Sequence, residues 1–247
     1  MKLLSYRIRL RTAWAFGMVS LILVLTIAGM GQSVGDKSEM LDKVKQAAAA
    51  NQQQLHQYTW TESRQITLNG NAKPAQQFQC EYGTDGRVQK TPMGMPASSV
   101  DGGGRRVGML RQRIVEKKTE EIKDYMSQVQ AVIALYVPPD SERMQRAFQL
   151  GNVSVNAAQG TKAAELVFKN YAQPGDQMTI TFDTEAKKMR TLNVNTYLND
   201  PKEIVTLAVQ MAPLPDGTNY PQQTVLDAQA KQLQVTTTNS NYAKRMQ

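Results

Sequence analysis

Few residues in this chain are of the types that commonly carry catalysis or bind metal. The 247 residues include one histidine, His56, and one cysteine, Cys80. A zinc site with several nitrogen ligands is therefore excluded, and a histidine-dependent triad would have to be built around His56. The carboxylates occur singly, without the pairing that acid–base catalysis uses. We therefore expect a protein that is not an enzyme and that has no cofactor and no metal site.

Two further features have both a chemical and a structural interpretation. Cys80 lies in the alternating run Phe78–Tyr82, on the same side as two aromatic residues, which favours a small buried side chain over a reactive thiol. The glycines of 102–104 precede Arg105 and Arg106, as at some phosphate sites. They lack the glycine spacing and the lysine of a P-loop, so the pattern favours a flexible hinge.

The most unusual polar pair is Glu62 and Arg64. Both stand between Trp60 and Ile66 on the apolar face of an alternating segment, so strict alternation turns both charges inward. A buried charge is costly unless it is paired and hydrogen-bonded. Either this part of the sheet is a solvated rim or a bulge turns the pair outward. Alternatively, the pair forms a polar clasp inside an apolar cavity, in which Arg64 latches a helix or loop.

Alternating segments dominate the chain around these residues. Tyr58–Leu68 alternates between apolar and polar side chains, and the turn signal Asn69-Gly70-Asn71 separates it from a partner strand at Phe78–Tyr82. A short third strand around Val88 completes a predicted meander. Further strands are predicted in the second half, at about 153–156, 163–171, 177–183, 189–198, 204–211, 218–227 and 230–239.

Helical periodicity is confined to two blocks. A helix is predicted over 37–56, with Asp36 as its cap. The second block has a helical pattern over 107–136 and a short helix that ends near Leu150. Before it, Pro92–Arg106 is rich in glycine and methionine and predicts a long mobile loop.

Together these patterns predict an α+β fold. So many two-faced antiparallel strands should twist into a strongly curved sheet, a half-barrel, with helices covering its concave apolar face. We expect one domain over 34–247, with a helical insertion at about 92–151.

The first 33 residues predict a cleavable signal peptide. Four basic residues and no acidic one precede an apolar stretch at 13–28. At about 1.5 Å per residue this stretch spans roughly 24 Å, short of a ~30 Å hydrocarbon core, which favours cleavage over an anchor. Removing the four cations lowers the net charge from +8 to about +4. We therefore expect a periplasmic protein that does not bind nucleic acid.

Several segments together resemble a known family. They are the leading helix that runs into Tyr58-Thr59-Trp60-Thr61, the turn at Asp85-Gly86, the middle helical block, and the endings at 214–221 and 239–242. In these the chain is similar to the outer-membrane lipoprotein-sorting proteins, the LolA/LolB-like superfamily. The resemblance implies a half-barrel lidded by helices around an apolar cavity that accepts acyl chains. It also implies a cavity arginine that contacts the lid, and Arg64 is the candidate.

The expected function is that of a periplasmic carrier or chaperone, which binds lipoprotein acyl chains or other hydrophobic ligands between sheet and helices. The alternative is a LolA-like sensor or adaptor that binds an envelope protein partner. In either case we expect a monomer. The residues expected to line the cavity are Trp60, Arg64, Ile66, Leu68, Phe78, Tyr82, Phe168, Ile180, Phe182 and Leu192.

Overall fold

The computed structural model describes residues 34–94, 107–157 and 162–245, which form one curved antiparallel sheet and three helices. This confirms the predicted α+β class, a half-barrel-like sheet with helices on its concave apolar face. The predicted signal peptide and most of the predicted loop, from residue 95 onward, lie outside the described residues.

The sheet contains all eleven strands of the described part of the chain, and every pairing is antiparallel. The strands are β1 (Tyr58–Leu68), β2 (Asn71–Ala72), β3 (Gln76–Tyr82), β4 (Val88–Met93), β5 (Val153–Ala157), β6 (Ala163–Lys169), β7 (Gln177–Asp183), β8 (Lys188–Tyr197), β9 (Ile204–Pro213), β10 (Asn219–Ala228) and β11 (Leu233–Lys244). Their order is β4-β3-β1-β11-β10-β9-β8-β7-β6-β5, with the short β2 beside β1. The sheet is not closed, because β4 and β5 form its two edges.

The predicted meander is confirmed, since β1 pairs with β3 and β3 with β4. Asn69 and Gly70 both have a positive φ in the turn after β1, which explains this turn signal. Several strand boundaries differ from the predicted ones. Pro92 and Met93 belong to the edge strand β4 rather than to the loop, and the last strand begins at Leu233, after a short 3₁₀ turn at Gln229–Lys231. Pro92 is tolerated because an edge strand leaves one side of its backbone unpaired.

The helices are α1 (Val34–Leu55), α2 (Val107–Ile133) and α3 (Ser141–Gln149). Asp36 was predicted to cap α1, but the helix begins two residues earlier and Asp36 lies in its first turn, where a negative charge favours the helix dipole. Asp140 caps α3 by accepting a hydrogen bond from the backbone N–H of Arg143. Among the described helices, none is long and apolar enough to cross a membrane.

The concave face of the sheet carries two apolar clusters. The larger lies beneath α1 and α3, which contribute Leu41, Val44 and Met144 to it. The smaller lies beneath α2, which contributes Tyr125 and Val129. The helices therefore cover different parts of one sheet.

Hydrogen bonds fix α1 to the sheet in addition to its apolar contacts. The amide nitrogen of Asn51 donates to the backbone oxygen of Asn219 at 2.7 Å, and the Asn219 backbone N–H donates to the Asn51 side-chain oxygen at 2.6 Å. The hydroxyl of Thr218 donates to Gln54 at 3.2 Å. The C-terminal half of α1 is thus bound to the turn between β9 and β10.

A buried carboxylate fixes the chain just after α2. Asp176, in the turn between β6 and β7, is 2% exposed and accepts the hydroxyl of Tyr136 at 2.5 Å. It also accepts the backbone N–H groups of Tyr171, Ala172 and Gln173 at 2.6, 2.8 and 2.8 Å. Burial, together with the hydrogen bond to Asp176, raises the pKa of Tyr136. The base of α2 is therefore held in place.

Candidate functional site

A small cavity lies between α2 and the sheet. Its volume is about 40 Å³, enough for a water molecule or two but far below the roughly 300–1,000 Å³ of a typical ligand pocket. One charged residue, Arg64, lies in an otherwise mostly apolar lining. The lining residues are Arg64, Met126, Val129, Gln130, Leu226, Leu233 and Val235.

Glu62 and Arg64 both face inward, which decides between the two interpretations that the sequence left open. Glu62 is 4% exposed, and Arg64 lines the cavity. A register shift between β1 and β11 does occur, but between Thr59 and Thr61, and it does not turn the pair outward. Nη2 of Arg64 lies 2.7 Å from Oε1 of Glu62, and Nζ of Lys90 lies 2.5 Å from Oε2. The buried carboxylate is thus paired with two cations.

Arg64 is further positioned by an aromatic ring. Its guanidinium carbon lies 4.9 Å from the centre of the Phe78 ring, which is a cation–π distance. The hydrogen bond that the structure describes for this guanidinium goes to Glu62, not to a carbonyl of α2. Arg64 and Val129 of α2 line the same cavity, but the structure describes no hydrogen bond from Arg64 to the helix, so the latch stays a prediction.

A group of aromatic side chains lies next to this charged pair on the same face. Tyr242 stacks on Trp60 with ring centres 5.5 Å apart and an interplanar angle of 7°. The ring centre of Tyr82 lies 5.3 Å from that of Trp60 and 4.4 Å from that of His56. Burial raises the pKa of Tyr82 and of Tyr242. The indole N–H of Trp60 is buried and has no hydrogen-bond partner among the described residues.

The ten residues expected to line one cavity fall into separate groups. Arg64 borders the α2 cavity, and Ile66 and Leu68 pack against the cluster beneath α2. Trp60, Phe78 and Tyr82 lie in the charged and aromatic region next to it. The remaining residues are completely buried in the cluster beneath α1 and α3; they are Phe168, Ile180, Phe182 and Leu192.

The sequence analysis missed Lys90 and Tyr242 on this face. Lys90 lies opposite Cys80 across β3 and β4, and Cys80 lies opposite Trp60, so all three share one side of the sheet. The run around Val88 was too short to assign a face to Lys90. Tyr242 lies beyond the predicted end of the last strand, which in fact extends to Lys244.

The next two residues, His56 and Cys80, are the single histidine and the single cysteine of the chain. His56 directly follows α1, and its Nε2 lies 3.1 Å from the Gln52 amide nitrogen. Cys80 is buried and forms no disulfide, and burial raises the pKa of its thiol. In the part of the chain that the structure describes, no group of three or more His, Cys, Asp or Glu residues is placed to hold a metal ion.

No family model matches the sequence, and no curated protein matches it. Solved structures similar to this chain include a DUF1329 family protein from Desulfovibrio piger, with 10% identity over 86% of this chain and 93% of that one, at a TM-score of 0.40. A LolA superfamily protein from Nitrosomonas europaea is 7% identical over 85% and 94% of the two chains, with a TM-score of 0.39. An outer membrane lipoprotein-sorting protein domain from Vibrio parahaemolyticus is 8% identical over 85% and 93%, with a TM-score of 0.39.

Proposed function

We propose that this protein is a periplasmic carrier or chaperone that binds an apolar chain, such as a lipoprotein acyl chain or another lipid, between the sheet and α2. The observation that carries the proposal is the weak apolar cover that α2 places over a charged and apolar part of the concave face. The export signal expected in residues 1–33 supports the location.

Few described side chains of α2 are buried against the sheet. Tyr125 and Val129 are buried, and Met126, Val132 and Ile133 are partly buried against the apolar clusters. Burial of one such apolar side chain contributes about 1.5–3 kcal/mol. The hydroxyl of Tyr125 is buried without a hydrogen-bond partner among the described residues, which costs about 1–3 kcal/mol. Because of this cost, the two residues contribute less than two apolar side chains without a buried polar group would, and α2 is the cover that we expect to open.

The other two helices are held more firmly. Leu41 and Val44 of α1 are each 1% exposed, and Asn51 adds two hydrogen bonds to the sheet. Met144 of α3 is 1% exposed. We therefore place the ligand on the α2 side, beside Arg64. Phe168, Ile180, Phe182 and Leu192 would contact a ligand only if α1 or α3 moved as well.

The small size of the cavity implies that α2 must move before a ligand can bind. A volume of about 40 Å³ does not admit an acyl chain. Binding therefore requires α2 to move away from the sheet about its fixed base, near Tyr136. The apparent affinity then equals the affinity of the open state reduced by the fraction of open molecules. A substitution that weakens closure should raise the apparent affinity.

A fluorescent fatty acid tests the proposal on the mature, delipidated protein. Trp60 is the single tryptophan after residue 33, and it lies next to the proposed site, so its emission provides the second readout. Val129→Ala removes two buried methyl groups worth about 1.6 kcal/mol, and should tighten apparent binding by up to roughly tenfold while it lowers thermal stability.

Val194→Ala is the matched control. Val194 is 3% exposed and lies in the cluster beneath α1 and α3, so its replacement should lower stability similarly and leave the Kd unchanged. Absence of binding to the parent protein would refute the carrier proposal. Equal changes of Kd in both variants would refute the assignment of the site to the α2 side.

A further inference from the structure

We infer that the ligand carries a single negative charge at the end of its apolar chain, and that Arg64 and Lys90 bind this anionic group. The inference rests on the carrier function proposed above and specifies the class of ligand. Fatty-acid carboxylates and the phosphate groups of lipids share the required chemistry.

The charged side chains that β1, β3 and β4 place on this face sum to one positive charge. Glu62 accepts from both Arg64 and Lys90, which leaves one positive charge in surplus. Glu62 is the single acidic residue that β1, β3 and β4 place on this face. Glu81 of β3 points to the opposite side, where it pairs with Arg245 at 3.2 Å. An apolar ligand with one anionic group would neutralise the surplus.

The two cations retain donors for such a group. A guanidinium has five N–H donors and an ammonium three. The described hydrogen bonds to Glu62 use one donor of Arg64 and one donor of Lys90. The side chains of Arg64 and Lys90 are 24% and 35% exposed, whereas that of Glu62 is 6% exposed. The carboxylate is therefore more deeply buried than the two cations that it pairs with, and the cations are partly accessible to a ligand.

The position of Arg64 connects the charge to the cavity. The same side chain lines the apolar cavity beneath α2 and stacks on Phe78. Apolar pockets use a few well-placed polar groups to fix the orientation of a ligand. An acyl chain beneath α2 would thus extend along Val235 and Leu226, with its charged end at Arg64 and Lys90 near the β4 edge.

The test compares charged and neutral ligands of the same length. Palmitate is compared with methyl palmitate by displacement of the fluorescent fatty acid at pH 8. Hexadecyl methyl phosphate, a diester with one negative charge, is compared with hexadecanol in the same way. The parent protein should bind each anion about fivefold or more tightly than its neutral partner, the scale of a partly exposed ion pair. The preference should decrease at high salt concentration.

Substitutions change the surplus charge in steps. Lys90→Met removes the surplus and should abolish most of the preference for each anion over its neutral partner. Glu62→Gln raises the surplus and should increase the preference. Lys162→Met is the matched control, because Lys162 pairs with Glu185 at 2.5 Å near the opposite edge of the sheet.

Each outcome has a defined meaning. Equal affinity for anions and neutral partners would overturn the inference and leave the carrier function intact. An equal loss of preference in Lys90→Met and Lys162→Met would overturn the assignment to this cluster. Displacement by inorganic phosphate alone would indicate a free-anion site and overturn the link to a lipid chain. Failure of all four ligands to bind would refute the carrier function itself, and the inference with it.

Discussion

Asp176→Asn tests how strongly the base of α2 is fixed. In the native protein Oδ2 of Asp176 accepts from the Tyr136 hydroxyl and from the backbone N–H groups of Ala172 and Gln173, and Oδ1 accepts from the N–H of Tyr171. An asparagine has one acceptor oxygen. If this oxygen occupies the Oδ2 position, the amide NH₂ group faces the N–H of Tyr171, and a buried donor is left without an acceptor.

The expected cost is about 2–4 kcal/mol, from one lost charged hydrogen bond and one unsatisfied N–H group. In a domain of this size each kcal/mol lowers Tm by roughly 2–4 °C, so we expect a decrease of about 5–15 °C. Urea unfolding and calorimetry measure both quantities. Tyr136→Phe should cost less in the Asp176→Asn background than in the parent protein, because the two residues share a hydrogen bond.

Asp200→Asn is the control, since Asp200 is exposed and accepts one backbone N–H, that of Lys202, at 2.8 Å. We expect it to cost less than about 1 kcal/mol. If Asp176→Asn were no more destabilising than Asp200→Asn, the buried carboxylate would not hold the base of α2, and the hinge that the proposed opening requires would be lost.

Two further predictions concern titratable groups. Burial raises the pKa of the Cys80 thiol, so at about pH 8 iodoacetamide should modify the native protein at least ~100-fold more slowly than the urea-unfolded chain; similar rates would contradict its burial. The hydrogen bond from Tyr58 is the main cause that holds the pKa of Asp216 below its ordinary 3.8. The stability from Asp216 is therefore present above about pH 4 and is lost as the pH falls further. Asp216→Asn should flatten the dependence of unfolding free energy on pH below about 4, and parallel curves for both proteins would contradict this account.

Periodicity predicted the strands well because each of them has one buried face. β1 and β7 begin and end where the alternation does, at Tyr58–Leu68 and Gln177–Asp183. The predicted helices also occur, with small shifts at their ends. Strand order was not accessible in this way, because the pairing of β1 with β11 joins segments more than 150 residues apart.

Alternation also gave part of the candidate site, because it indicates which side chains of one strand share a face. Strict alternation on β1 turned Glu62 and Arg64 inward but left a solvated rim or an outward bulge open, and in the structure both side chains face inward. Their third partner, Lys90, lies on another strand, and its distance from Glu62 depends on the register of β3 and β4. Periodicity also does not reveal which helix covers which strand. Phe182 and Leu192 were therefore grouped with Ile66 in one predicted cavity. In the structure, Phe182 and Leu192 lie beneath α1 and α3, and Ile66 lies beneath α2.

Native mass spectrometry of the mature protein, purified from the envelope of the cells that produce it, tests the carrier proposal most directly. We predict that a fraction of the molecules carries one lipid, that the lipid is anionic, and that Val129→Ala increases the occupied fraction. A protein that carries no lipid and co-purifies with a single envelope protein would contradict the account and favour the adaptor function instead.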